Sequence, residues 1–349
     1  MSSAPAASLP YSEDGDLNCF RGTAFHTKMS DSYIIGVDVG GTKVAAGLVS
    51  PSGKISHQQQ IPMVATDASA GLAAVTTVIR AVRTATELDP ALPGSIGGIG
   101  ICAPGPLDPR QGIVINPPNL PGWRNFPLAV EVGNAFDMPV RIDNDGNAAA
   151  LAEAMWGVGR GCRNVFYATI GTGIGTGLVL DGRIYHGRTG AAAEGGHMTI
   201  DYHGPRCGCG KLGCIEVLAS GPAIAKRASE KIKLGRNSTI VQERSIPGSS
   251  ITSEMVGRAF AEGDVVAREV LQETAMFLAI WLGNIVDLLE PDVMVIGGGV
   301  AGMLQPFLGQ ISDQIPSWSV NSRCREIPLL PAHYGVEAGI AGAAALCRQ

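Results

Sequence analysis

Two stretches of this chain repeat one design, and the repeat limits the folds open to it. Residues 33–38, Tyr-Ile-Ile-Gly-Val-Asp, read as a buried strand. Gly40-Gly41-Thr42-Lys43 turns the chain, and residues 44–49 return as a second strand. Residues 165–170 read as another strand, 171–175 (Gly-Thr-Gly-Ile-Gly) as its turn, and 176–180 as its return. Aligned from Gly41 and from Gly171, the two nine-residue segments agree at five places. A turn and a basic residue follow each hairpin, Gly53-Lys54 and Gly182-Arg183. A repeated supersecondary unit predicts two related α/β domains facing each other across a cleft. Chance likeness between glycine-rich turns is the competing reading.

Strands and helices mix elsewhere. Periodicity predicts a helix over 72–88, and an apolar strand over 95–101 runs into Ala103-Pro104-Gly105. A short strand over 139–142 feeds Asp143-Asn144-Asp145, and an alanine-rich helix follows over 147–156, ended by Gly157. Asp264 caps a long helix to about Leu289, a strand spans 292–296, Gly297-Gly298-Gly299 opens another helix, and a last helix covers 336–346. Residues 235–250 read as a polar loop. The expected division is a tail over 1–32, disordered to about residue 28 with Met29 as an alternative start; a smaller α/β domain of 33–147 plus 336–349; and a larger one of 148–335.

The 349 residues are 45% hydrophobic and carry a net charge of −5, which argues against nucleic acid or an acidic membrane as a main partner. The longest apolar stretch, around 275–289, is broken by Asn284 and Asp287 and is too short to span a bilayer. No basic start with an apolar core precedes the first strand, so the eight cysteines are expected reduced, in a cytoplasm.

Glycine turns after buried strands leave backbone N–H groups free to meet an anion. Three such turns occur, at Gly40, Gly171 and Gly297, and a plain hairpin explains any one alone. Asp38 beside the first is suited to hold Mg²⁺ through water, and Lys43 to meet phosphate. No Gly-x-x-x-x-Gly-Lys-Ser/Thr run is present. Gly297 to Gly302 fits the dinucleotide fingerprint, which keeps a nicotinamide oxidoreductase open as an alternative. Asp143-Asn144-Asp145 at a strand end reads either as a helix cap or as a general base with a neighbouring amide.

Cys207, Cys209 and Cys214 stand within eight residues, and His197 lies ten residues before the first. Three thiolates and one imidazole close a tetrahedral zinc site, and with no open position such a zinc is structural. His197 is the preferred fourth ligand because it follows Glu194-Gly195-Gly196; His186 and His203 are alternatives, as is a disulfide with a spare thiol. Glu194 and Glu216 bracket the segment, as if to grip a polar ligand.

These motifs together resemble the ROK family of sugar kinases and related repressors, over residues 33–349. Asp38-Val-Gly40-Gly41-Thr42-Lys43 resembles the family's first phosphate motif, and Asn144-Asp145-Gly-Asn147 its catalytic segment. Glu194-Gly-Gly-His197, with the cysteine run through Glu216, resembles its signature and zinc knuckle, and 291–299 its nucleotide strand. The resemblance implies an actin-like ATPase (ribonuclease H-like) fold in which hinge closure joins two duplicated domains over ATP and sugar. Asp145 would deprotonate the sugar hydroxyl, and Asn144, Glu194, His197 and Glu216, with Gly105 and Asn119, would form the pocket. Asp38, Gly40, Gly41, Thr42, Lys43, Thr172 and Gly173 would serve the phosphates and Mg²⁺, and Gly298 the adenosine. The leading expectation is transfer from ATP to D-glucose; N-acetylmannosamine, fructose, allose and mannose remain open, as does a non-catalytic sugar sensor. The family's repressors carry a winged helix-turn-helix, and 32 residues are too few for one, which favours an enzyme. The resemblance also implies a homo-oligomer, a dimer or tetramer. Gly195 stands where many relatives have a bulkier residue, which implies a different pocket shape there.

Overall fold

A computed structural model describes residues 32–90, 92, 95–242 and 249–349; residues 1–31 of the expected tail, Met29 among them, lie outside these. β1 (Tyr33–Val39), β2 (Lys43–Val49), β3 (Ile55–Pro62) and β4 (Ile96–Ala103) precede a two-stranded ribbon of β5 (Leu107–Asp108) and β6 (Ile113–Val114). β7 (Val140–Asn144), β8 (Val165–Ile170), β9 (Ile174–Leu180), β10 (Arg183–Ile184), β11 (Val293–Gly297) and β12 (Leu329–Pro331) follow. They form one sheet in the order β3-β2-β1-β4-β7 and a second in the order β10-β9-β8-β11-β12. In each, an antiparallel meander is extended by two parallel strands on the side of its first strand. The duplication expected from the hairpins therefore covers the whole topology of both sheets.

The inner strands β1, β4, β8 and β11 are buried on both faces, as parallel pairing favours, whereas the edge strand β3 is exposed or half-buried throughout. Ile35, Val37, Ile99 and Ile101 pack with the helices Ala68–Glu87 and Leu128–Phe136. Phe166, Ala168 and Ile170 pack with Val265–Leu289 and its neighbours, while the alternate residues Val165 and Tyr167 face the helices Asp145–Met155 and Ala338–Leu346. Those two helices lie in close contact with each other, and Gly342 allows the approach: a Cβ there would overlap the Ala148 backbone. A buried carboxylate, Glu153, holds the chain before the last helix by accepting from His333 N at 2.8 Å and Tyr334 N at 3.0 Å.

Some element ends differ from expectation. The alanine-rich helix starts at Asp145, because Asn144 Oδ1 accepts from Gly146 N at 2.8 Å and Asn147 N at 3.4 Å and so takes the cap. The helix after Gly299 runs only over Ala301–Leu304 before Pro306 leads a 3-10 turn. The last helix starts at Ala338, after a 3-10 turn over Gly335–Glu337. The polar loop holds a short 3-10 turn, Thr239–Val241, and residues 243–248 lie outside the described residues. No described helix is long and apolar enough to cross a membrane.

Candidate active site

Register along three parallel strands brings the acidic residues of the first sheet together. Asp38 pairs with Cys102, Cys102 with Asp143, and Ala103 with Asn144, at the C-terminal edge where open α/β sheets bind ligands. The next residue, Asp145, is the first of its helix. It lines a cavity of about 310 Å³ with Gly105, Asn144, Asn147, Thr176 and Glu194. Gly190 to Ala193 supply the opposite wall.

Desolvation pushes the Asp145 carboxyl up to about 6, although the residue is exposed along the cavity; the Gly146 N–H at 2.9 Å opposes this, and the charges of Asp38 and Glu194 add to it. A carboxylate with that value is ionised at neutral pH yet basic enough to take a proton from a bound hydroxyl. Asp38 is raised too, first by desolvation, against the Cys102 thiol and the Lys43 charge, which lower it. Lys43 is exposed, with Nζ 3.4 Å from Gln60 Oε1. Gly40 N donates to Lys43 O at 2.9 Å and closes the first turn. Thr42 is exposed. Gly41 packs on Asn119, where a Cβ would meet Asn119 O at 2.8 Å. Asn119 thus lies against the first turn, and it is absent from the lining of the Asp145 cavity.

The second sheet places its two glycine turns side by side. Gly171 N donates to Gly173 O at 2.9 Å across Thr172, and Gly221 N donates to Gly171 O at 2.8 Å. Gly298, at φ +92°, rests on Ile170, and Val300 N donates to Ile170 O at 2.9 Å. The glycine run that fits a dinucleotide fingerprint thus faces the Gly171 turn.

Cys207, Cys209, Cys214 and His197 offer ligand atoms that all lie within 4.8 Å of one another. Cys207 Sγ is 3.6 Å from His197 Nδ1, and Cys209 Sγ is 3.6 Å from Cys214 Sγ. Ligands ~2.0–2.3 Å from a tetrahedral ion stand ~3.5–3.8 Å apart, so the set fits one metal. The knuckle reaches the second turn through Glu216, whose Oε2 accepts from Ile174 N at 3.0 Å and whose Oε1 is 3.9 Å from His197 Nδ1. His197 and Glu216 are therefore neighbours, on the knuckle rather than among the residues lining the Asp145 cavity. His186 does not join the thiols; its Nε2 sits 2.5 Å from Asp143 Oδ2. Gly195 faces Thr176, where a Cβ would come 2.9 Å from Oγ1, the atom that accepts from Gly195 N at 2.9 Å.

Sequence reasoning did not single out Cys102, Thr176 or the 190–193 wall. Their signal is positional: Thr176 opens the return strand of the second hairpin, and the wall precedes Glu194.

The model of the ROK family matches residues 34–349. The glucokinase of Halalkalibacterium halodurans is 34% identical over 92% of this chain and 96% of its own length. A crystal structure of a ROK family glucokinase from Streptomyces griseus in complex with glucose and AMPPNP is similar at TM-score 0.77 and 31% identity, covering 91% of this chain and all of that one. A ROK hexokinase from Thermus thermophilus is similar at TM-score 0.73 and 33% identity, covering 90% and 97%. The fold is the actin-like, ribonuclease H-like one, built from two duplicated α/β units. With a matching model over nearly its whole length and relatives at this identity, the chain belongs to the ROK family.

Proposed function

We propose that this chain is an ATP-dependent hexose kinase that converts D-glucose and ATP to glucose 6-phosphate and ADP. One observation carries the proposal: a cavity-lining carboxylate, Asp145, raised to about 6, sits in a sugar-sized cavity with Asn144 and Glu194. Asp145 takes the proton of the attacking hydroxyl, the hydroxyl oxygen forms a bond to the γ-phosphorus, and the bond to the ADP oxygen breaks. Gly105, Asn144 and Glu194 hold the other hydroxyls. His197, Glu216 and Asn119 complete the pocket when the two domains, divided near residues 147 and 336, close over the ligands.

The exposed turn Gly40-Gly41-Thr42-Lys43 and the turn at Thr172-Gly173 meet the phosphates, and Gly298 lies along the adenosine. Mg²⁺ held by Asp38 through water would offset charge on the transferring group. Zinc on Cys207, Cys209, Cys214 and His197 holds His197 and Glu216 in place and does no chemistry. The protein works in the cytoplasm as a dimer or tetramer.

A coupled assay of ADP release over a panel of hexoses tests the reading. Glucose-dependent release is expected. Turnover of N-acetylmannosamine with none of glucose would sink the glucose assignment, and sugar binding with no turnover would favour a sensor.

A further inference from the structure

The buried Asp143 joins parts of the chain that belong to different sheets. Its Oδ1 accepts from Asn144 N at 2.7 Å and from Asn147 Nδ2 at 3.0 Å, which fixes the cap of the helix carrying Asp145. Its Oδ2 meets His186 Nε2 at 2.5 Å. A carboxylate only accepts, so Nε2 carries the proton in this contact. Asp143 is the penultimate residue of β7 in the first sheet, whereas His186 follows β10 of the second.

His186 also starts the loop that walls the cavity. Ala192 N donates to His186 O at 3.3 Å and folds 186–192 into a compact unit. Gly190 of this unit approaches Pro109 and Leu107, on the first sheet's side. The far end is tied to the second sheet: Thr176 Oγ1 donates to Ala193 O, Gly195 N donates to Thr176 Oγ1, and Trp281 Nε1 donates to Gly195 O at 3.1 Å. Residues 189–194, between the two ties, line the cavity across from Asn144 and Asp145.

We infer that His186 is a positioning residue: through Asp143 it sets the 189–194 wall of the hexose site against Asp145. A single carboxylate then fixes both walls, the base side through Asn144 and Asn147 and the opposite side through the imidazole. The inference rests on the hexose-kinase reading for its substrate. The clamp itself is built from the chain's own residues and can be tested without that reading.

The experiment pairs steady-state kinetics with amide hydrogen exchange on the full chain. His186→Ala should raise KM for glucose by about tenfold or more while KM for ATP stays within about twofold, because only the sugar wall moves. His186→Gln, whose amide can still donate to Asp143, should recover most of the loss. The double variant His186→Ala/Asp143→Asn should be no worse than the worse single one, since both remove one contact. In ligand-free protein, His186→Ala should speed exchange over 187–194 and leave 165–170 unchanged. An unchanged KM for glucose, an equal rise in both KM values, or additive losses would overturn the clamp. If the wild type turns over no hexose, the kinase reading fails, and exchange alone decides: unaltered exchange over 187–194 overturns the clamp, and a local rise upholds it.

Discussion

The Cys102 thiol stands 3.5 Å from Asp38 Oδ1 on the neighbouring parallel strand, and 3.3 Å from the carbonyl of Gly339 on the other side. One S–H proton thus serves two acceptors, a carboxylate beside the first glycine turn and the C-terminal helix. Burial, then the charges of Asp38 and Asp145, push the thiol's pKa far up, so it stays a neutral donor. Cys102→Ala removes a donor that lowers the Asp38 pKa. The expected outcome is a rise of about two- to tenfold in KM for Mg·ATP, the size of one modest hydrogen bond, with KM for glucose unchanged. Steady-state kinetics at saturating glucose check it, and Cys102→Ser, which keeps a donor, should stay near wild type.

Asp145 links activity and stability through one proton. As a base it must be ionised, so kcat/KM for glucose should fall as pH drops through about 6 and level off above it. Asp145→Asn should lower kcat by several orders of magnitude and leave glucose binding largely intact. Its effect on folding has the opposite sign. A carboxyl raised from 3.8 to about 6 favours the folded state fully only below 3.8, and that advantage is lost as pH rises through 6. At pH 7 the variant should therefore be more stable than wild type, by an amount that solvent screening of the exposed side chain keeps small, and the gain should fade as pH falls towards 4. Denaturant melts at the two pH values, with calorimetric glucose titration, separate these effects.

Much of this was legible in the chain because it is local. The two hairpins announce themselves by an apolar run, a glycine turn and an apolar return, and both sheets grow from them. The segment Asp143-Asn144-Asp145 was readable as a helix cap or as a base with a neighbouring amide; Asn144 takes the cap, and Asp145 lines the cavity. The partner of His186 was not legible. Proximity in sequence made it a spare ligand for the thiols, and only the crossing of the second sheet's loop to β7 carries it to Asp143, 43 residues away. The 190–193 wall is made of glycine and alanine, whose side chains announce no chemistry; its role comes from backbone placed opposite Asp145.

The thiol cluster predicts a metal-dependent knuckle. Cys209 is pulled down, chiefly by the Lys211 N–H, while burial pushes Cys214 up to about 12. Without a cation, these closely spaced thiols cannot all ionise together. Metal analysis of purified protein should give about one zinc per chain. Stripping it with a chelator should raise KM for glucose, because Glu216 bridges the knuckle to Ile174 N. Full activity in metal-free protein would end the structural-zinc reading.

Gly36 and Gly100 pair in register on β1 and β4, and both face the last helix with no room for a side chain. A Cβ at Gly36 would overlap the Ile340 carbonyl oxygen, and one at Gly100 the Ala343 carbonyl oxygen. Backbone cannot swing aside as a flexible side chain does, so Gly100→Ala must push the helix Ala338–Leu346 off the sheet. The same helix packs on Asp145–Met155, so the shift passes to the element carrying Asp145. The expected cost is about 3 kcal/mol, at the upper end for overpacking a core, with a loss in kcat. Gly309→Ala supplies the control, since a Cβ there meets nothing within 4 Å and the residue is helical. That change should stabilise by up to about 1 kcal/mol through the unfolded chain. Urea denaturation of both variants tests the contrast, and equal midpoints would mean that the sheet and the last helix are not in the contact described.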